Sequence, residues 1–109
     1  MDDPFPEAQA EASQALANSQ QLFESYMRIK STLSSSSSKG SSEELSYAEA
    51  ELKGTLSVLH ADVNDLEEAV EAAERHGPEA FGLSLATIQE RRRFVLGIRE
   101  AMDVSLAFL

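Results

Sequence analysis

Residues 45–73 read Leu45-Ser-Tyr-Ala-Glu-Ala-Glu-Leu-Lys-Gly-Thr-Leu-Ser-Val-Leu-His-Ala-Asp-Val-Asn-Asp-Leu-Glu-Glu-Ala-Val-Glu-Ala-Ala73. Within them Leu45, Ala48, Leu52, Leu56, Leu59, Val63, Leu66, Val70 and Ala73 recur at steps of three and four. At about 100° per residue this is one continuous apolar face on a long helix. Gly77-Pro78 follows, glycine as terminator and proline just beyond it.

The same pattern flanks this stretch on both sides. Upstream, Ala8, Ala12, Ala15, Ser19, Leu22, Tyr26, Ile29 and Leu33 alternate steps of four and three, with Leu16 and Phe23 widening the stripe. The small residues near the start allow a neighbouring helix to approach closely. Downstream, Ser84 is an N-cap for a stripe of Ile88, Val95, Ile98, Met102 and Leu109, broadened by Leu85, Phe94, Ala101 and Leu106. No alternating strand pattern competes. The expected fold is all-α: an antiparallel up-down-up three-helix bundle with left-handed crossings near ~20°. The helices are placed at about 6–33, 42–76 and 84–108.

The connections are also legible. Asp3 and Phe5 each precede a proline, which disfavours helical geometry at both, so residues 1–5 are expected to form an extended arm ahead of a bundle spanning 6–109. Residues 34–41 form a serine-rich linker, ending in a capping box between Ser41 and Glu44. Phe81 and Leu83 are expected to plug the bundle end. The apolar, uncapped run Ser105-Leu106-Ala107-Phe108-Leu109 points to a piece of a longer chain.

Composition narrows the function. The 109 residues carry a net charge of −10 and no cysteine. Residues 43–76 hold ten acids against two bases, whereas residues 77–109 are neutral. So acidic a surface repels nucleic acid phosphates and anionic lipid. Disulfides and thiolate metal sites are excluded, and no apolar run reaches the roughly 18 residues that would span a bilayer. His60 and His76 have no third ligand at metal spacing and read as surface or helix-end residues. No glycine-flanked serine makes a nucleophile elbow, no phosphate-cradling loop is present, and no Glu-x-x-His ligand pair of a carboxylate bundle occurs. Neither an enzyme nor a cofactor is expected.

Two features remain. Asp62, Asp65, Glu67, Glu68 and Glu71 band the second helix, either as a solvated face or as partners for Arg91 or Arg92. Asp3-Pro4-Phe5 reads in two ways. It is a helix-start device with Phe5 folded over the bundle end, or a short linear motif of the kind clathrin-adaptor appendage domains read.

At these residues the chain resembles the N-terminal (Habc-like) three-helix domain of the syntaxin-6/syntaxin-10 family of t-SNAREs, fungal late-Golgi members included. The Asp-Pro-Phe opening stands at the family's distance from Leu22-Phe23. Asp62, Val63, Asp65, Leu66, Glu67 and Glu68 match its acidic pattern. Phe81, Leu83, Ile88, Arg91 and Phe94 match its third-helix pattern. The serine linker is longer than usual, and Ala61 stands where vertebrate members have tryptophan. The SNARE motif and C-terminal membrane anchor are not within these residues.

The resemblance implies a role at the cytosolic face of trans-Golgi network and endosome membranes, in fusion of endosome-derived vesicles. It implies that a short peptide of one GARP tethering-complex subunit lies against the bundle, and that other SNAREs pair with parts beyond this domain. The partner-binding residues expected are Asp3, Phe5, Asp65, Arg91 and Phe94, at the arm and at the seam of the second and third helices. Two other readings are closure of the bundle on its own SNARE motif, and a structural dimerisation bundle.

Overall fold

The computed structural model describes residues 3–34 and 39–109. Three helices, α1 (Phe5–Ser34), α2 (Lys39–His76) and α3 (Leu85–Leu106), form a rod of 60 × 18 × 16 Å. A single 3₁₀ turn, Pro78–Phe81, separates the second from the third. No strand occurs among the described residues.

Contacts at the two ends fix the helix directions. The first turns of α1 face the C-terminal half of α2, with Pro4, Ala8 and Glu11 opposite Asp65, Ala69 and Ala72. The last turns of α1, at Ile29 and Thr32, face Glu44. Helix α3 returns along α2, pairing Arg92 with Glu74 and Arg99 with Glu67. It therefore lies parallel to α1: Phe5 meets Phe94 at one end, and Phe23 meets Phe108 at the other. The result is the expected up-down-up, all-α bundle.

All nine stripe residues of α2 face inward; eight are buried and Leu45 is half-buried. In α1, Ala12, Ala15, Ser19 and Tyr26 are buried, and Ala8, Leu22, Ile29 and Leu33 half-buried. Each buried leucine or valine contributes roughly 1.5–3 kcal/mol relative to an exposed position. The one polar residue in that face of α1, Ser19, donates to the Leu16 carbonyl at 2.8 Å, which removes the cost of an unpaired buried hydroxyl. Phe81 and Leu83 pack against the core as expected.

Two helix starts differ from the sequence reading. Helix α1 begins at Phe5, so the described arm is only Asp3-Pro4. Asp3 Oδ1 accepts the Phe5 amide at 3.2 Å, and the Pro4 carbonyl accepts from Ala8 at 3.4 Å. Pro6 then falls in the first turn, where a missing N–H costs nothing. The bias against helix at Phe5 is overcome by burial of its ring, which is 1% exposed. Helix α2 begins at Lys39, ahead of the expected start. The Ser41–Glu44 capping box rests on a side chain outside the described residues.

In α3, Leu85 and Leu106 do not broaden the buried stripe; they are 63% and 49% exposed. Leu85 lies about 100° of helix rotation from the stripe's centre. Ser105 takes the buried place in the last turn, its hydroxyl donating to the Ala101 carbonyl at 3.4 Å.

The α2–α3 connection is built on two glycines with positive φ. Gly77 has φ 85° and Gly82 has φ 68°, ψ 29°. The second is left-handed, a conformation that costs other L-residues roughly 1–2 kcal/mol. Ser84 then caps α3 by accepting the Thr87 amide at 3.1 Å, as its sequence position implied.

Candidate functional site

The α1–α3 junction is a closed cluster of four of the five expected partner-binding residues. Asp3 accepts two hydrogen bonds from Arg91, at 2.9 and 2.7 Å. Arg91 also lies over the Phe5 ring, its guanidinium carbon 4.5 Å from the centroid. Phe5 meets Phe94 edge-on, with centroids 6.3 Å apart at 72°. The planar guanidinium thus serves a carboxylate with its edge and an aromatic ring with its face. The Arg91 hydrogen bonds hold the Asp3 carboxyl below its ordinary value of 3.8. Partial burial opposes them, while the Phe5 amide and the Arg91 charge add to the lowering.

Asp65, the fifth expected residue, lies elsewhere. It is exposed on the α1–α2 seam, not at the α2–α3 seam where the sequence reading placed it beside Arg91 and Phe94. There it edges a groove of about 470 Å³ floored by Ala8, Ala69 and Ala72. Glu7 and Glu11 rise from α1 and Asp65 and Glu68 from α2, giving four carboxylates and no cation in the lining. Pro4 closes the end of this groove. The Asp3–Arg91 pair and the buried Phe5 flank Pro4 in sequence, so the α1–α3 cluster sets the position of the groove's end wall.

The acidic band of α2 divides between two seams. Glu67 and Glu74 face α3 and pair with Arg99 and Arg92, with Asn64 accepting a further bond from Arg99 at 3.1 Å. In the sequence reading the band at residues 62–71 is a solvated face or a set of partners for Arg91 or Arg92. Arg91 goes instead to Asp3, because α3 turns it toward α1, and Arg92 pairs with Glu74, one turn beyond that band. Arg99, Glu7 and Glu11 were not singled out from the sequence. An antiparallel register with Glu7 and Glu11 one turn apart would have brought the two glutamates to Asp65 and Glu68.

Both histidines are exposed. Among the described residues no group of three or more His, Asp or Glu side chains is placed to hold a metal, and no helix is long and apolar enough to cross a membrane.

Comparison with known proteins agrees with this architecture. The sequence pattern of the family described as "Syntaxin 6/10/61, N-terminal" matches residues 3–104. Human Syntaxin-10 is 31% identical over 103 residues, covering 94% of this chain and 39% of that protein. The chain belongs to the syntaxin 6/10/61 N-terminal family, and spans about two-fifths of the length of this curated relative.

Proposed function

We propose that this bundle is a non-catalytic interaction domain of a t-SNARE of the fungal late-Golgi type. It acts at the cytosolic face of trans-Golgi network and endosome membranes, in fusion of endosome-derived vesicles. Its task is to recruit the GARP tethering complex by holding a short peptide of one tether subunit. Pairing with other SNAREs belongs to parts of the protein beyond this domain.

The observation that carries this reading is the α1–α2 groove. It is open, has an alanine floor, and is lined by four carboxylates with no cation among them. A surface of this kind suits an extended or helical segment with small apolar contacts and basic side chains, a peptide-in-groove mode. Complementary charge raises the rate of encounter and rejects acidic competitors. Asp65 contacts the peptide directly. Asp3, Phe5, Arg91 and Phe94 act by fixing Pro4 at the groove's end.

The test is fluorescence polarisation of a labelled N-terminal peptide of the GARP subunit titrated with the domain. Saturable binding is expected. Reversing two exposed charges, Asp65→Lys with Glu68→Lys, should weaken it by about tenfold or more, equivalent to ~1.4 kcal/mol. Phe5→Ala should weaken it less. Absence of binding at high micromolar concentration, or binding indifferent to the charge reversal, would refute the proposal.

A further inference from the structure

We infer that the bundle carries a second docking surface of opposite character, where α3 begins beside the end of α2, and that its occupant is a partner segment bearing an apolar side chain next to carboxylates.

The starting point is the run Arg91-Arg92-Arg93, whose three members meet different fates. Arg91 is consumed by Asp3, and Arg92 is paired with Glu74 across the α2–α3 seam. Arg93 is exposed and has no ion pair among the described residues. Arg92, Arg93, Gln89 and Glu74 edge a groove of about 530 Å³ whose apolar lining is Pro78, Leu85 and Ile88. Glu74 is the one carboxylate in that lining and is engaged by Arg92, which leaves Arg93 as the uncompensated charge. Leu85 is the first residue of α3 and is 63% exposed. Folding leaves it uncovered, although a polar residue at this position would serve the helix equally well. An exposed leucine beside a spare guanidinium, on a chain of net charge −10, is a local reversal of the surface's general character.

Charge complementarity selects the occupant. A guanidinium offers only donors and favours carboxylates. The apolar lining takes a leucine-, isoleucine- or phenylalanine-sized anchor, the usual division between anchor and rim. A cationic segment suited to the α1–α2 groove would be repelled here. A second copy of the chain would bring its own −10 charge against the first. The bundle can therefore hold two segments of opposite charge on different seams, whether or not the α1–α2 groove takes a tether peptide.

The experiment is selection from a displayed library of random dodecapeptides on the domain, followed by affinity measurement on variants. Enriched peptides should carry Asp or Glu flanking Leu, Ile or Phe. Arg93→Glu and, separately, Leu85→Ser should each weaken them by about tenfold. Both positions are exposed, and thermal melting checks that the variants fold. Asp65→Lys with Glu68→Lys should leave these peptides unaffected, which separates this surface from the α1–α2 groove. The inference is overturned if selection yields no binders or only Lys- and Arg-rich ones, or if binding is indifferent to both variants. A dimer in sedimentation that Leu85→Ser dissolves would also overturn it, by assigning the face to self-association.

Discussion

Arg91 and Asp3 stand 88 positions apart and meet through two hydrogen bonds of 2.9 and 2.7 Å. The pair joins the first and last helices of the bundle at one end. It also makes Asp3 and Pro4 part of the folded domain, in keeping with the helix-start reading of Asp3-Pro4-Phe5 in which Phe5 folds onto the bundle end.

This pair makes the end of the bundle sensitive to acid. The folded-state pKa of Asp3 lies below its ordinary value of 3.8. Its contribution is fully present above that value and is lost as pH falls through the folded pKa. Protection of the Phe5 and Ala8 amides, measured relative to their intrinsic exchange rates, should therefore hold above about pH 4 and fall below it. In Asp3→Asn, exchange there should be faster at neutral pH. The variant should lose about 1–3 kcal/mol of local stability, with the difference from wild type closing in strong acid.

Phe5→Ala should destabilise the domain by about 2–3 kcal/mol in chemical denaturation. A mid-core phenylalanine costs roughly 3–5 kcal/mol, but undocking of the first turn alone limits the loss here. Phe5→Leu should recover most of it. Equal stability of wild type and Phe5→Ala would mean that the first turn is not docked in solution.

At the α2–α3 turn, Gly82→Ala should cost about 1–2 kcal/mol, the penalty of a Cβ in left-handed backbone. No neighbouring atom lies within 4 Å of the added Cβ, so the cost is conformational rather than steric. Gly82→Asn should lose less, because asparagine tolerates that region better. Thermal melts of the two variants distinguish these outcomes.

The Arg99–Glu67 and Arg92–Glu74 pairs are half-exposed. A double-mutant cycle on either should give a coupling of about 1 kcal/mol or less. Both pairs bridge α2 and α3 at matching positions along the seam, which suits alignment of the two helices more than stability. A coupling several times larger would make them a principal source of stability.

The helices were legible because periodicity reports one-sided burial directly. Every stripe residue of α2 from Leu45 to Ala73 faces the interior. The glycine terminator and the Ser84 cap were visible for the same local reason. What could not be read were relationships between helices. Nothing local to Arg91 says that it turns toward α1 and Asp3, or that Asp65 belongs to the α1–α2 seam. These depend on how three helices are rotated about one another. The proline pair misled at Phe5, where a local backbone preference yielded to burial of an aromatic ring. Leu85 misled in the opposite sense, since its hydrophobicity suggested burial at a position that the helix turns outward.

Whether the α1–α2 groove holds a basic tether segment is decided by a ¹⁵N chemical-shift titration of the domain with the N-terminal GARP-subunit peptide. With a segment seated there, the largest shifts are expected on Glu7, Ala8, Glu11, Asp65, Glu68 and Ala72, with smaller ones at Phe5 and Arg91. Shifts confined to Leu85, Gln89 and Arg93, or no shifts at saturating peptide, would contradict that seating.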